Sequence, residues 1–122
     1  MVEQDAVRQD EEHEVNEVCL VGRVSGEVEH RELPSGDALV SFRVVVRRKP
    51  RRDQSARSPG VDTIDIACWS ARTRASAAKL DDGTRVRIEG ALRRRFFATA
   101  GGRASRYEVE AARVRREPRQ AA

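Results

Sequence analysis

The residues of this chain that could do chemistry are basic and aromatic. Arg43, Arg47, Arg87, Arg93 and Arg95 take the outward positions of alternating, strand-like runs. Trp69 and Phe97 take outward positions of the same kind, and Arg48, Lys49, Arg51 and Arg52 crowd one loop. Guanidinium and ammonium groups neutralise phosphates and release condensed counterions, while flat rings stack on unpaired bases at roughly 1–3 kcal/mol each. A duplex offers no free base face, so this mixture points to single-stranded nucleic acid. DNA and RNA both satisfy that chemistry.

Catalysis finds no support. His13 and His30 are isolated, and Cys19 and Cys68 sit in apolar strand patterns outside any CxxC or Cys/His spacing. No nucleophile with a base, metal cluster or phosphate loop is visible. The expectation is a protein that is no enzyme and carries no metal and no cofactor, with both thiols reduced and buried. The net charge of +4 hides an asymmetry: residues 1–17 hold seven acids against Arg8 alone, net −6, which leaves +10 on the rest. A positive body favours a polyanionic partner. Only Lys49 and Lys79 are lysines among 24 basic residues, and GC-rich coding alone would raise arginine everywhere. The informative feature is therefore a cluster on one side, not the count.

The elements that must position these groups are strands. A chain of 122 residues fits one domain. Residues 1–14 read as a disordered acidic arm, 15–116 as the folded part and 117–122 as a disordered tail. NEVCLVGRV opens the first strand, with Val18, Leu20 and Val24 on one face. Pro34-Ser-Gly36 supplies a turn, ALVSFRVVVRR is the second strand, and the stretch from Lys49 to Gly60 is an exposed loop. VDTIDIACW is the third strand. SARTRASAAKL then changes to helical period, with Ser70 as N-cap and Asp82-Gly83 at its end. VRIEGALRRRFF puts Val86, Ile88, Gly90 and Leu92 inside and Arg85, Arg87, Glu89, Ala91, Arg93 and Arg95 outside. Continued to its end, the alternation sends Phe97 outward and Phe96 into the core. ATAGGR reads as a hairpin loop and SRYEVEAARVR as the fifth strand. The pattern predicts an all-β, five-stranded OB-fold barrel with one short helix between strands three and four; an SH3-like barrel is the structural rival.

In order and spacing these segments resemble bacterial single-stranded DNA-binding proteins over about residues 15–115. The resemblance is carried by N-x-V-x-L-V-G-R at Asn16–Arg23, P-x-G at Pro34–Gly36 and K-L-x-x-G-x-x-V-x-I-E-G-x-L at Lys79–Leu92. It implies an OB fold, roles in DNA replication, recombination and repair, and a homotetramer or dimer formed through the strand around Val18–Gly22. It also implies DNA-facing roles for Trp69, Phe97, Arg43, Arg47 and Arg93, and the base stacking for which this family is a standard example. The chain departs from the family at Thr63 and in the KPRR loop, where aromatics are common. After residue 116 it shows no Gly/Pro/Gln-rich linker with an acidic tip, so tail-mediated partner recruitment is not expected, as in a short paralogue.

Two readings follow. The first is a binder that coats single-stranded DNA with little sequence preference, through backbone charge plus stacking on Trp69 and Phe97, and that loses affinity steeply with salt. The second is an OB-fold assembly or accessory subunit whose basic face meets an acidic protein partner. No apolar run approaches the ~20 residues of a membrane span, and the acidic N-terminus carries no signal sequence. The expected location is cytoplasmic, at the nucleoid, with no membrane partner.

Overall fold

The alternation of β-branched and charged residues is realised as strands that bury one face. The computed structural model describes residues 13–50 and 60–118. Its elements are β1 (Val18–Glu32), β2 (Ala38–Arg47), β3 (Val61–Cys68), α1 (Ala71–Ala78), β4 (Arg85–Thr99) and β5 (Gly102–Arg116). The bulk of the predicted acidic arm, loop residues 51–59 with Arg51 and Arg52, and residues 119–122 lie outside the described residues.

The strands close into a barrel in the order β1-β2-β3-β5-β4. All pairings are antiparallel except β3 with β5, which meet in parallel at Ile66–Val109 and Ala67–Glu110. Val24, Phe42, Val44, Ile66, Val86, Ile88 and Val109 fill the interior. Two glycines allow the tight closure, because a Cβ on Gly22 would run into the Val45 carbonyl and one on Gly90 into the Glu110 carbonyl. Helix α1 packs against β2 and β5, burying Thr73 and Ala77. Its N-cap is Ser70 as predicted, whose hydroxyl accepts the Thr73 N–H at 3.1 Å.

Register explains where the alternation holds. Gly90 pairs with Ala111 and Glu89 with Arg113, so Ala112 is an unpaired extra residue, a bulge that returns Val114 to the core. Beyond Leu92 the barrel has ended. β1 pairs with β4 only as far as Gly90, and β3 pairs with β5 only at two rungs. The rungs from Arg93–Glu108 to Thr99–Gly102 thus form a two-stranded arm with no strand on either side among the described residues.

This arm corrects two expectations. Phe96, assigned to the core, is 61% exposed, and Leu92 is 44% exposed, because an inward direction has no interior to reach once the neighbouring strands stop. The predicted loop ATAGGR is largely ladder, with Ala98 paired to Arg103 and Thr99 to Gly102. A third correction concerns the thiols. Cys68 is buried, and burial pushes its thiol up to about 11, the Thr73 hydroxyl acting in the opposite sense. Cys19 is exposed, because it takes the outward position between Val18 and Leu20.

The arm's base is pinned from outside the ladder. The Asn16 side-chain amide donates to the Leu92 carbonyl at 2.7 Å, and its carbonyl accepts the Leu92 N–H at 2.9 Å. This side chain stands in for one more rung of β1, which gives a physical reason for asparagine at the head of the N-x-V-x-L-V-G-R segment.

Candidate nucleic-acid interface

The outward positions of four strands join into one wall. Arg43 on β2 pairs with Asp65 on β3, Ala67 on β3 with Glu110 on β5, and Arg93, Arg95 and Phe97 on β4 with Glu108, Arg106 and Ala104 on β5. Trp69 follows β3 at the same outward parity. A groove of about 270 Å³ lined by Arg43, Asp65, Ala67, Arg106 and Glu108 crosses this wall. Beside it, Trp69, Ala91, Arg93 and Glu110 line a second depression of about 410 Å³.

Trp69 is half-buried, and the Arg95 guanidinium lies over its ring, 4.5 Å from the centroid. Its Nε1 is buried without a hydrogen-bond partner among the described residues, and its carbonyl accepts from Arg74. What the indole offers a ligand is therefore ring surface rather than its N–H. Phe97 is 44% exposed, with Arg106 5.9 Å from its centroid.

Most of the wall's cations already hold carboxylates. Arg93 Nε lies 2.8 Å from Glu110 and Arg43 Nε 3.4 Å from Asp65. Glu108, only 5% exposed, sits 2.6 Å from Arg95 and 3.9 Å from Arg106. A phosphate arriving at these arginines must compete with an internal acid, so the number of arginines overstates the counterion release available.

The remaining predicted residues lie elsewhere. Val40 pairs with Cys68 and Arg47 with Val61, so Arg47 is at the far end of the β2–β3 ladder from Trp69, roughly 23 Å along the strand. Arg48 and Lys49 continue from that end, and Arg48 is tied to Asp62 at 2.7 Å. Arg87 is outward but on the β1–β4 side, where it grips Glu117 through two hydrogen bonds of 3.0 and 3.2 Å and donates to Cys19 Sγ at 3.3 Å. The Arg87 hydrogen bond, against a smaller desolvation effect, holds the Glu117 carboxyl below the usual glutamate range. The structure thus brings together Arg43, Trp69, Arg93, Arg95 and Phe97. It keeps Arg47, Arg48, Lys49 and Arg87 apart from them.

Sequence reasoning missed two groups. Arg106 shares the wall groove and pairs with Arg95 across the ladder, a position legible only once the β4–β5 register is known. Arg94, Phe96, Arg103 and Tyr107 occupy the opposite face of the arm. Arg94 lies 5.1 Å from the Phe96 centroid and 5.5 Å from that of Tyr107, and Arg103 lies 5.8 Å from Phe96. The sequence signal was the dipeptide Phe96-Phe97 itself, since two successive rings on a strand must serve opposite faces.

A closed barrel ordered β1-β2-β3-β5-β4, with its helix between the third and fourth strands, is the OB fold. Residues 15–116 match the single-strand binding protein family, and the chain belongs to that family, whose members bind DNA without catalysing a reaction on it. A single-stranded DNA-binding protein of Treponema pallidum is 31% identical over 101 residues, covering 83% of this chain and 57% of that protein. One from Wolinella succinogenes is 30% identical over 77 residues, 63% of this chain and 48% of its own length. The chain spans about half the length of the curated relatives it matches. Among solved structures, a Plasmodium falciparum SSB in complex with ssDNA superposes with a TM-score of 0.75 at 21% identity, covering 87% of this chain and 97% of that one. A small single-stranded DNA-binding protein from Streptomyces coelicolor gives 0.62 at 19% identity, over 83% and 93% of the two chains.

Proposed function

We propose that this domain binds single-stranded DNA along the outer wall of β2, β3, β5 and β4, with little sequence preference, in replication, recombination and repair at the nucleoid. The observation that carries this reading is the meeting of Trp69 and Phe97 with Arg43, Arg93, Arg95 and Arg106 on one wall outside the hydrophobic core. Ring faces and guanidinium groups address what every nucleotide has in common, a π-face and a phosphate, which accounts for low sequence preference. RNA meets the same chemistry. Arg47, Arg48 and Lys49 extend the positive field toward the far end of β2, and Arg51 and Arg52, outside the described residues, are proposed to add their charge to phosphate binding. No helix among the described residues is long and apolar enough to cross a membrane.

Assembly into a dimer or tetramer fits the first strand. Within the chain, Val18–Gly22 are hydrogen-bonded to β4 on one side, and β2 takes up the other side only from Arg23 onward. Among the described residues that leaves a short open edge for pairing with a second copy.

The binding of an acidic protein partner has one observation in its favour: the wall already accommodates three carboxylates of its own chain, Asp65, Glu108 and Glu110. Trp69 is the only tryptophan, so its fluorescence separates the two readings. Titration with oligothymidylate is expected to quench it as a base stacks on the indole. Tight protein partners combined with unchanged emission under saturating oligothymidylate would rule out the DNA reading.

A further inference from the structure

We propose that the arm carries a second single-strand contact surface on the face opposite Trp69, formed by Arg94, Phe96, Arg103 and Tyr107, so that a bound strand engages both faces of the hairpin. The proposal deepens single-strand binding by the outer wall and rests on it.

Three observations carry it. First, the rings are open: Phe96 is 61% and Tyr107 58% exposed, more than Phe97 on the outer wall at 44%. They are diagonal neighbours, since Arg94 pairs with Tyr107 and Phe96 with Ser105. Side chains so placed lie about 7–8 Å apart, a span that successive bases of an extended strand can bridge. Second, cations and rings interleave, with Arg94 over both rings and Arg103 over Phe96. A strand stacking here meets a guanidinium beside each base.

Third, among the described residues the cations on this face hold no acid. The positions facing this way are Leu92, Arg94, Phe96 and Ala98 on β4, and Arg103, Ser105, Tyr107 and Val109 on β5, with no carboxylate among them. The Arg94 guanidinium donates only to the Ser105 hydroxyl, at 3.1 and 3.2 Å. A phosphate displaces a neutral hydroxyl here, whereas on the outer wall it must displace Glu108, Glu110 or Asp65. The arm's tip favours passage from one face to the other, because Ala100, Gly101 and Gly102 put no side chain larger than a methyl group in the way.

The test uses the full chain and two oligothymidylates, from the short and long ends of the ~4–16 nucleotide range of one OB fold. Phe96→Ala/Tyr107→Ala is expected to weaken the long oligonucleotide by about tenfold per ring and the short one by no more than about twofold. Trp69→Ala should weaken both. Arg94→Ala/Arg103→Ala should lower the salt slope for the long oligonucleotide by about 1.4, two phosphates' worth. Phe96→Tyr/Tyr107→Phe keeps the rings and should retain the wild-type affinity, which separates stacking from damage to the fold.

Equal affinity of wild type and the Phe96→Ala/Tyr107→Ala variant at both lengths overturns the proposal while leaving the outer-wall reading intact. So does a drop in mass by light scattering with unchanged long-oligonucleotide affinity, which would assign this face to contact with a second copy. A wild-type protein that binds neither oligonucleotide defeats the outer-wall reading, and this inference with it.

Discussion

The two faces of the β4–β5 arm are built from the same residue types and differ in one respect. On the face toward Trp69, Arg93, Arg95 and Arg106 are held by Glu110 and Glu108. On the other, among the described residues, Arg94 and Arg103 share their surface only with rings, a hydroxyl and aliphatic groups. The first arrangement is ordered before any ligand arrives but must give up an ion pair to bind phosphate. The second has nothing charged to give up. Basic residues on a surface are thus not equivalent as phosphate sites, and their partners decide their worth as much as their number.

Converting one face into the other is the strongest way to break this contrast. Glu108→Gln releases Arg95 and Arg106 together. It is expected to raise single-strand affinity at low salt by about tenfold and to steepen the salt slope by about 0.7 for each arginine freed. Fluorescence titration at two salt concentrations checks it, and an unaltered slope would mean that internal pairing does not limit these cations.

A smaller effect is expected at the arm's base, on which both faces depend. Asn16→Ala removes the two hydrogen bonds to Leu92 and should cost about 1–2 kcal/mol of stability, read by denaturant unfolding. Long oligonucleotides should lose more affinity than short ones. Equal losses would show that the arm holds its position without this clasp.

The smallest change is expected from a charge on neither face. Glu117 titrates below the usual glutamate range because of Arg87, so its pairing stabilises the fold at neutral pH and is lost as pH falls through that depressed value. Glu117→Gln should lower stability slightly at pH 7, flatten the acid limb of the stability curve and leave DNA affinity unchanged. A change in affinity would bring the β1–β4 side into the binding surface.

Much of the barrel was legible because its strands alternate β-branched with charged residues. Parity alone put Val24, Val44, Ile66, Val86 and Ile88 inside and Arg43, Trp69, Arg93, Arg95 and Phe97 on the outer wall. Parity gives a direction, however, not a neighbour. Phe96 points the way Ile88 points, yet Ile88 faces packed strands and Phe96 faces none. The same limit hid the ion pairs: Arg95 meets Glu108 across 13 residues of sequence and Arg43 meets Asp65 across 22, through ladders whose register depends on turn lengths and bulges. Cys19 is a different case. Its outward parity was readable, and the apolar residues on either side of it obscured that.

Ala112 sets the phase of the last strand. Ahead of it, residues 109 and 111 point to the interior; behind it, residue 114 does. Were the strand to run through Ala112 with a regular pleat, Arg113 would turn toward the oily centre and Val114 would be carried into water, whereas excising Ala112 would join Ala111 to Arg113 and leave both facing as they do. The phase of β5 is consequently set by a backbone irregularity as much as by the side chains on its surface.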